Sequence, residues 1–498
     1  MTDKHESSSI SQRSYSALVW NYFGSAVRMF SQFLIGIVLA RLLGPEAFGI
    51  VAVGWLMVGI GNLVADFGLS SALIQCKTIV ERDIRFAFTM QVMFGTTLTL
   101  IGYFSAKSIA VFFHHADAAP IIQAMAFLFL FQSFGQTAGA LLRRSLNFKS
   151  YQAINIASYL TGYLLVGIPC AYFGLGAWSL VAAQLVQSLM FSLVAMWHTK
   201  LSMKPALKPS SPGMFSFGGK VIGANLASWG ILNLDSLVIG RMLGIANLGI
   251  YNRAIALVGT PINTLTATLQ GVLFAASSRA QADTTQLKKG YFAATAVIGL
   301  ISLPFAATVA SVPETVITAI YGEQWLAAIP VLAPLALAMA IHALLAVVGP
   351  ILMAQNKVGL ELRAQLITLL VMLPVLYFTA RQSLQAVAWG VVCIYFVRWL
   401  LLVRAILPTF NANWADLLNT LRWPLLVAMV LAVMTFICDR VLLGISPFPR
   451  LIADMAIAGL TSLVLMRLFG KQIMHGAHGD YLLAAGRLPV PFRRLLGV

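Results

Sequence analysis

Charge is scarce in this chain. Of its 498 residues only 10% are Asp, Glu, Lys or Arg, where a soluble protein carries roughly a quarter. That shortage excludes an ordinary cytosolic enzyme and a disordered chain. Cysteine is scarce too: Cys76, Cys170, Cys393 and Cys438 lie far apart with no CxxC pair, so neither a disulfide framework nor a zinc site is expected. Long polar stretches are missing. The longest are residues 1–14, 201–213 and the tail after Lys471, all below the roughly 40 residues at which a small domain can hold a core. No soluble nucleotidase, kinase or catalytic-loop domain is therefore expected. The polar start MTDKHESSSISQRSYS leads into an apolar stretch that contains Arg28 and no small-residue cleavage site, so a removed signal peptide is not expected either.

What is present is apolar: 59% of the residues. Fourteen spans at ~20 residues each would use about 280 residues. The expected fold class is an all-α polytopic membrane protein with about 14 transmembrane helices. The apolar runs and their breakers place them near 15–40, 47–75, 85–109, 118–142, 151–173, 176–198, 215–240, 246–275, 290–312, 325–353, 361–380, 384–405, 422–442 and 449–469. With the N-terminus inside, 24 of the 33 Lys and Arg fall in the tails and inner loops; Arg41, Lys107, Arg241, Arg381, Arg440 and Arg450 fall outside. This bias fits the positive-inside rule with both termini cytoplasmic, and reads the formal charge of +17 as a topology signal rather than as nucleic-acid binding. Twelve spans are the alternative, since the last pair carries Asp439 and Asp454.

The chain also repeats itself at an offset of 200 residues. LIGIVLARLLGPEAFGIV from Leu34 aligns with LDSLVIGRMLGIANLGIY from Leu234, matching Arg41 with Arg241, Gly44 with Gly244 and Gly49 with Gly249. A fainter echo pairs Pro120 and Gly139 with Pro330 and Gly349. Glycines just after a span are expected to supply left-handed backbone for a tight reversal. Six spans separate the copies, so the two repeats are parallel, as in carriers that rock two bundles about a midplane site. The expected parts are a tail (1–14), a six-helix bundle (15–200), a linker (201–213), a second six-helix bundle (214–408), two accessory helices (409–470) and a basic cytoplasmic tail (471–498). The tail's RLPVPFRRLLGV is expected to rest on the anionic inner leaflet.

The blocks ARLLGPEAFGIVA, ADFGLSSALIQ, LRRSLNFKS, LNLDSLVIGRMLGIANLGIYNRA and YGEQWLAAIPVLAPLAL, in that order, resemble the Wzx-type polysaccharide repeat-unit flippases of the multidrug/oligosaccharidyl-lipid/polysaccharide exporter (MOP) superfamily. The resemblance covers about residues 15–410. It implies two six-helix bundles facing each other, two accessory spans, and transfer of an undecaprenyl-pyrophosphate-linked oligosaccharide across the bacterial inner membrane. The destinations it implies are exopolysaccharide, capsule or lipopolysaccharide. Membrane lipids would be partners, and a polymerase and export machinery further ones; no nucleic acid and no cofactor is implied.

Ionisable side chains within spans are costly, ~2.5 to 3.5 kcal/mol at a helix centre on insertion scales, and mark cavities or partners. Asn21, Ser25, Arg28 and Gln32 form a stripe on the first span, and Asn62, Asp66 and Ser70 another on the second. Lys220, Asn225 and Asp235 lie on the seventh, and Arg253 on the eighth. The expected substrate cavity is cationic, built from Arg28, Lys220 and Arg253 with Asn21, Gln32 and Asn225, and suits a pyrophosphate. Asp66, Asp235 and His342 are candidates for ion coupling or, equally, for pairing helices. GMFSFGGKV resembles a phosphate-binding loop but has one residue too many and Val221 where Ser or Thr should stand, so it is rejected. His114, His115 and Asp117, and His475 with His478, offer too few ligands for a metal. Trp20, Trp55, Trp178, Trp325 and Trp423 mostly read as interface anchors. The competing functions are an ion-coupled drug or small-solute antiporter, which would want an anionic cavity, and a polysaccharide polymerase, which would want a sizeable outer loop. No enzymatic activity is expected.

Overall fold

The computed structural model describes residues 2–66, 68–76, 78–208, 216–279 and 283–476, and among them every regular element is helical. Among the described residues twelve helices are long and apolar enough to cross a membrane, and each coincides with one of the expected spans. Two further helices, Ser216–Met242 and Ile245–Arg279, stand where the seventh and eighth spans are expected. The chain is a multi-pass membrane protein. It forms two compact units, Met1–Gly249 and Ile250–Val498.

The first unit contains α1 (Thr2–Leu42), α2 (Pro45–Ala65), α3 (Leu69–Gln75), α4 (Glu81–Phe112), α5 (Ala119–Arg144), α6 (Phe148–Tyr159), α7 (Ile168–Tyr172), α8 (Ala177–Thr199), α9 (Ser216–Met242) and the first turn of α10 (Ile245–Arg279). Within it α4 packs on α5, α5 on α8, α1 on α6, and α2 on both α5 and α9. Small residues permit this, since lipid supplies no hydrophobic drive between helices and close backbone approach must replace it. Gly95 on α4 sits against Ser133 of α5, and Gly135 on α5 against Ser192 of α8. Between α6 and α7 the chain winds as a π-helix over Leu160–Gly167, and both Gly162 and Gly167 abut Ala183 of α8.

The repeated Arg-Gly blocks fold alike but not identically. Gly244 takes a φ of +90° in the turn from α9 to α10, as a reversal requires. Gly44 does not: its φ is −73° with ψ 169°. The cause is Pro45 at the first helical position, which pushes the residue before it into extended backbone. The second glycine of each block lies inside a helix, where it permits contact instead of a turn. A Cβ on Gly49 would run into the Ile245 carbonyl, and one on Gly249 into the Pro45 carbonyl.

The second unit holds the rest of α10, then α11 (Thr284–Ser311), α12 (Pro313–Ile320), α13 (Ile329–Leu345), α14 (Val348–Ala354), α15 (Val358–Ala380), α16 (Leu384–Ile406), α17 (Trp414–Val441) and α18 (Pro447–Gly476). Starts are capped in ordinary ways: Asp283 accepts from the Thr285 and Gln286 nitrogens, and Ser383 from that of Ala386. Helix α17 lies along α11, with Pro424 against Gly299, while α18 packs on α17 and α12.

Candidate functional site

On α1 the polar stripe is met by one side chain from α6. Gln152, nearly fully buried, donates through Nε2 to Asn21 Oδ1 at 2.9 Å and to Ser25 Oγ at 3.2 Å. It seats over Gly24, where a Cβ would fall 2.5 Å from its own Cβ. Asn21 is thus spent on joining α1 to α6. One turn further on, Arg28 is half-buried and forms no ion pair with any described residue. Gln32, one turn beyond, is exposed.

Asp66 ends α2, just before Gly68 turns the chain with a φ of +71°. Its Oδ1 accepts from the Ser70 amide at 3.2 Å, from the Ser70 hydroxyl and from Gln91 Nε2 at 2.9 Å. Gln91, fully buried on α4, in turn accepts from the Thr137 hydroxyl of α5. This chain of polar groups ties α2, α3, α4 and α5 together. Asp235 on α9 is buried and accepts from the Ser236 amide at 2.6 Å. The side chains of Lys220 and Asn225 lie outside the described residues.

In the second unit Arg253 is half-buried on α10, and its carbonyl accepts from the Tyr321 hydroxyl at 3.3 Å. Burial pushes the Tyr321 phenol above its usual range, and the neighbouring Arg253 guanidinium pulls against that shift. Trp325, expected at an interface, is instead wholly enclosed, 5.5 Å from the Tyr321 ring. The block YGEQWLAAIP turns inward because Gly322, at a φ of +94°, reverses the chain and sends both rings into the core.

The sequence reading missed an ion pair. Glu361 of α15 and Arg398 of α16 meet at 3.0 Å, both largely buried, with Gln365 also donating to Glu361. Arg398 stands fifteen residues into the apolar run 384–405, and that place was the available signal. His342 of α13 lies near Arg398, with its ring 5.3 Å from that of Tyr395 and its Nδ1 buried without a hydrogen-bond partner.

Two further histidines, in the loop after α4, meet charged side chains. His115 pairs with Glu46 at 3.1 Å, and His114 contacts Arg241, whose guanidinium also donates to the Phe112 carbonyl. No metal-holding cluster of His, Cys, Asp or Glu is found among the described residues. The side chain of His475, His478 and the end of the basic tail lie outside them. Residues 216–221 of the phosphate-loop lookalike are the opening of α9, a continuous helix.

Comparison with known proteins adds the kinship of this arrangement. The family described as "Polysaccharide biosynthesis protein" matches residues 38–330. The chain belongs to that family. It is 27% identical over 384 residues to the teichuronic acid biosynthesis protein TuaB of Bacillus subtilis, covering 75% of this chain and 78% of that protein. It is 24% identical over 358 residues to the lipopolysaccharide biosynthesis protein WzxC of Escherichia coli, covering 71% and 73%. In fold it is similar to the lipid II flippase MurJ, with a TM-score of 0.69 at 12% identity over 90% of this chain and 99% of MurJ. An inward-facing MATE multidrug transporter of the MOP superfamily gives 0.58 at 16% identity, over 77% and 96%. The resemblance to Wzx-type flippases carried by the Arg-Gly blocks is thereby borne out, and so is the helical membrane fold.

Proposed function

We propose that this family member carries a polyprenyl-pyrophosphate-linked oligosaccharide across the bacterial inner membrane by alternating access, with both termini cytoplasmic. The observation that supports it is Arg28: a half-buried guanidinium, inside an apolar helix and without an acidic partner among the described residues. An unpaired cation in that setting is retained against a cost of ~2.5 to 3.5 kcal/mol, and a bidentate donor fits a phosphate oxyanion at low dielectric. Arg253 is assigned the same role in the second unit, and Lys220 and Asn225 complete the set by sequence. Asn21 and Gln32 drop to secondary places, the first bound to Gln152 and the second exposed.

Ion coupling, in this reading, belongs to His342 in preference to Asp66. The Asp66 oxygen is already saturated with donors, while the buried His342 Nδ1 has none. The antiporter alternative would place acids, not an unpaired base, against its cationic drugs.

The test is complementation of a strain deleted for this protein. Arg28→Gln should reach the membrane at normal level yet stop polymer output and leave lipid-linked units accumulating, with Arg28→Lys retaining part of the output. Full output from Arg28→Gln and Arg253→Gln together would overturn the site. Drug resistance conferred without any effect on polymer would favour the antiporter. A reporter fused to the C-terminus checks the orientation.

A further inference from the structure

The two last helices hold charges that the transport site does not use. Asp439 on α17 and Arg450 and Asp454 on α18 are all buried, Asp454 with only 1% of its surface exposed. Arg450 Nε stands 3.1 Å from Asp439 Oδ1 as an ion pair, and the Thr315 hydroxyl of α12 donates to the same oxygen. Asp454 lies beside Asp439 and Cys438, and apart from the Cys438 thiol, a weak donor, its carboxylate oxygens have no hydrogen-bond partner.

The arithmetic of charge is uneven. Two carboxyls share one guanidinium, and Arg450 has two acids within reach: Asp439 across the helix pair, and Asp454 one turn along its own helix, at the spacing where side chains meet. In the structure the base goes to Asp439. An ionised Asp454, buried beside a second carboxylate with only a thiol as donor, would cost several kcal/mol. Cys438 is a neutral thiol and Thr315 a hydroxyl, Glu314 on α12 is exposed, and Arg440 lies over the Phe436 ring at 5.1 Å. None supplies a second positive charge. A metal ion would need several more oxygen ligands than this corner offers, and no metal-holding cluster exists among the described residues.

We propose that Asp454, with Asp439 and Arg450, is a proton-binding site in the α17–α18 pair, one proton resting on Asp454 while Arg450 is engaged by Asp439. The chemistry is a bare proton exchange. Loss of the proton leaves a carboxylate that competes with Asp439 for Arg450, so binding or releasing it redirects the base between a bond across the helices and one along α18.

The experiment is infrared difference spectroscopy of the purified full chain in lipid, titrated with pH in sodium-free buffer and again with sodium added. The wild type should show a protonated-carboxyl band that grows as the pH is lowered through the mildly acidic range, shifts in heavy water and is missing in Asp454→Asn, a neutral mimic expected to fold and melt as the wild type does. Asp439→Asn frees Arg450 to pair with Asp454 and should also abolish the band. Arg450→Gln should strengthen it, because two acids then face each other without a base. A purely structural role would leave the band unmoved by Asp439→Asn. A wild type with no such band, a band that survives Asp454→Asn, or one displaced stoichiometrically by sodium would each overturn the proposal.

Discussion

Gly49 and Gly249 meet backbone to backbone: a Cβ placed on Gly249 would lie 2.9 Å from the Gly49 nitrogen as well as striking the Pro45 carbonyl. The contact is reciprocal, since Gly49 answers to Ile245 as Gly249 answers to Pro45, and these are equivalent positions of the two repeats. Such exchange of roles is what a local two-fold relation produces.

Alanine at either glycine must therefore push a helix backbone aside, which no side-chain rotation can relieve. Gly49→Ala and Gly249→Ala should each destabilise the fold by at least the ~1 to 3 kcal/mol typical of overpacking, seen as a lower melting temperature. The double variant should cost clearly less than the sum, because the first methyl has already parted the same two turns. Thermal unfolding in detergent of the three variants reads this; strict additivity would mean the contacts are independent.

Gln91 is the only described link between Asp66 and Thr137. Gln91→Leu removes a donor from a carboxylate and an acceptor from a buried hydroxyl, and should cost more than the roughly 1 kcal/mol of a single hydrogen bond. Thr137→Val, which leaves Asp66 its donors, should be milder. The two melting curves, compared at one pH, decide it.

Much of this was open to reading in the sequence. Apolar runs bounded by Gly and Pro gave the helices, because a helix in lipid satisfies its own backbone and needs nothing from elsewhere. The Arg-Gly blocks led to the family. Partnerships were not legible. That Asn21 would be taken by a glutamine 131 residues away, or that Arg398 would sit inside a span facing Glu361, depends on which helices become neighbours. A stripe on one helix does not contain that information. Trp325 shows the same limit: an aromatic near a span end reads as an anchor until Gly322 is seen to fold it inward.

The Glu361–Arg398 pair carries a second signature. Arg398→Met strands a buried carboxylate and should destabilise by about 3 to 5 kcal/mol, whereas Glu361→Gln with Arg398→Met together should recover a large part of that loss. A double-mutant cycle on unfolding measures the coupling; a value near zero would show the pair to be incidental.

Gln152 and Arg28 separate packing from transport. Gln152→Ala should lower stability and resemble Asn21→Ala, since both empty the same hydrogen bond over Gly24. Gln32→Ala should leave both stability and polymer output unchanged. Melting temperature and polymer yield in the same strains tell the two classes apart.

The widened winding at Leu160–Gly167 limits where the fifth span can change length. On ordinary winding, residues five apart sit about 140° from each other; here the i to i+5 bonding stacks Gly162 and Gly167 so that both reach Ala183. This stretch holds slack that the rest of the helix lacks. Excising one residue inside it can be absorbed by tightening to ordinary turns, leaving Pro169 and everything after it facing as before. The same excision one turn earlier has no slack to draw on and swings the remainder of the span by about 100°.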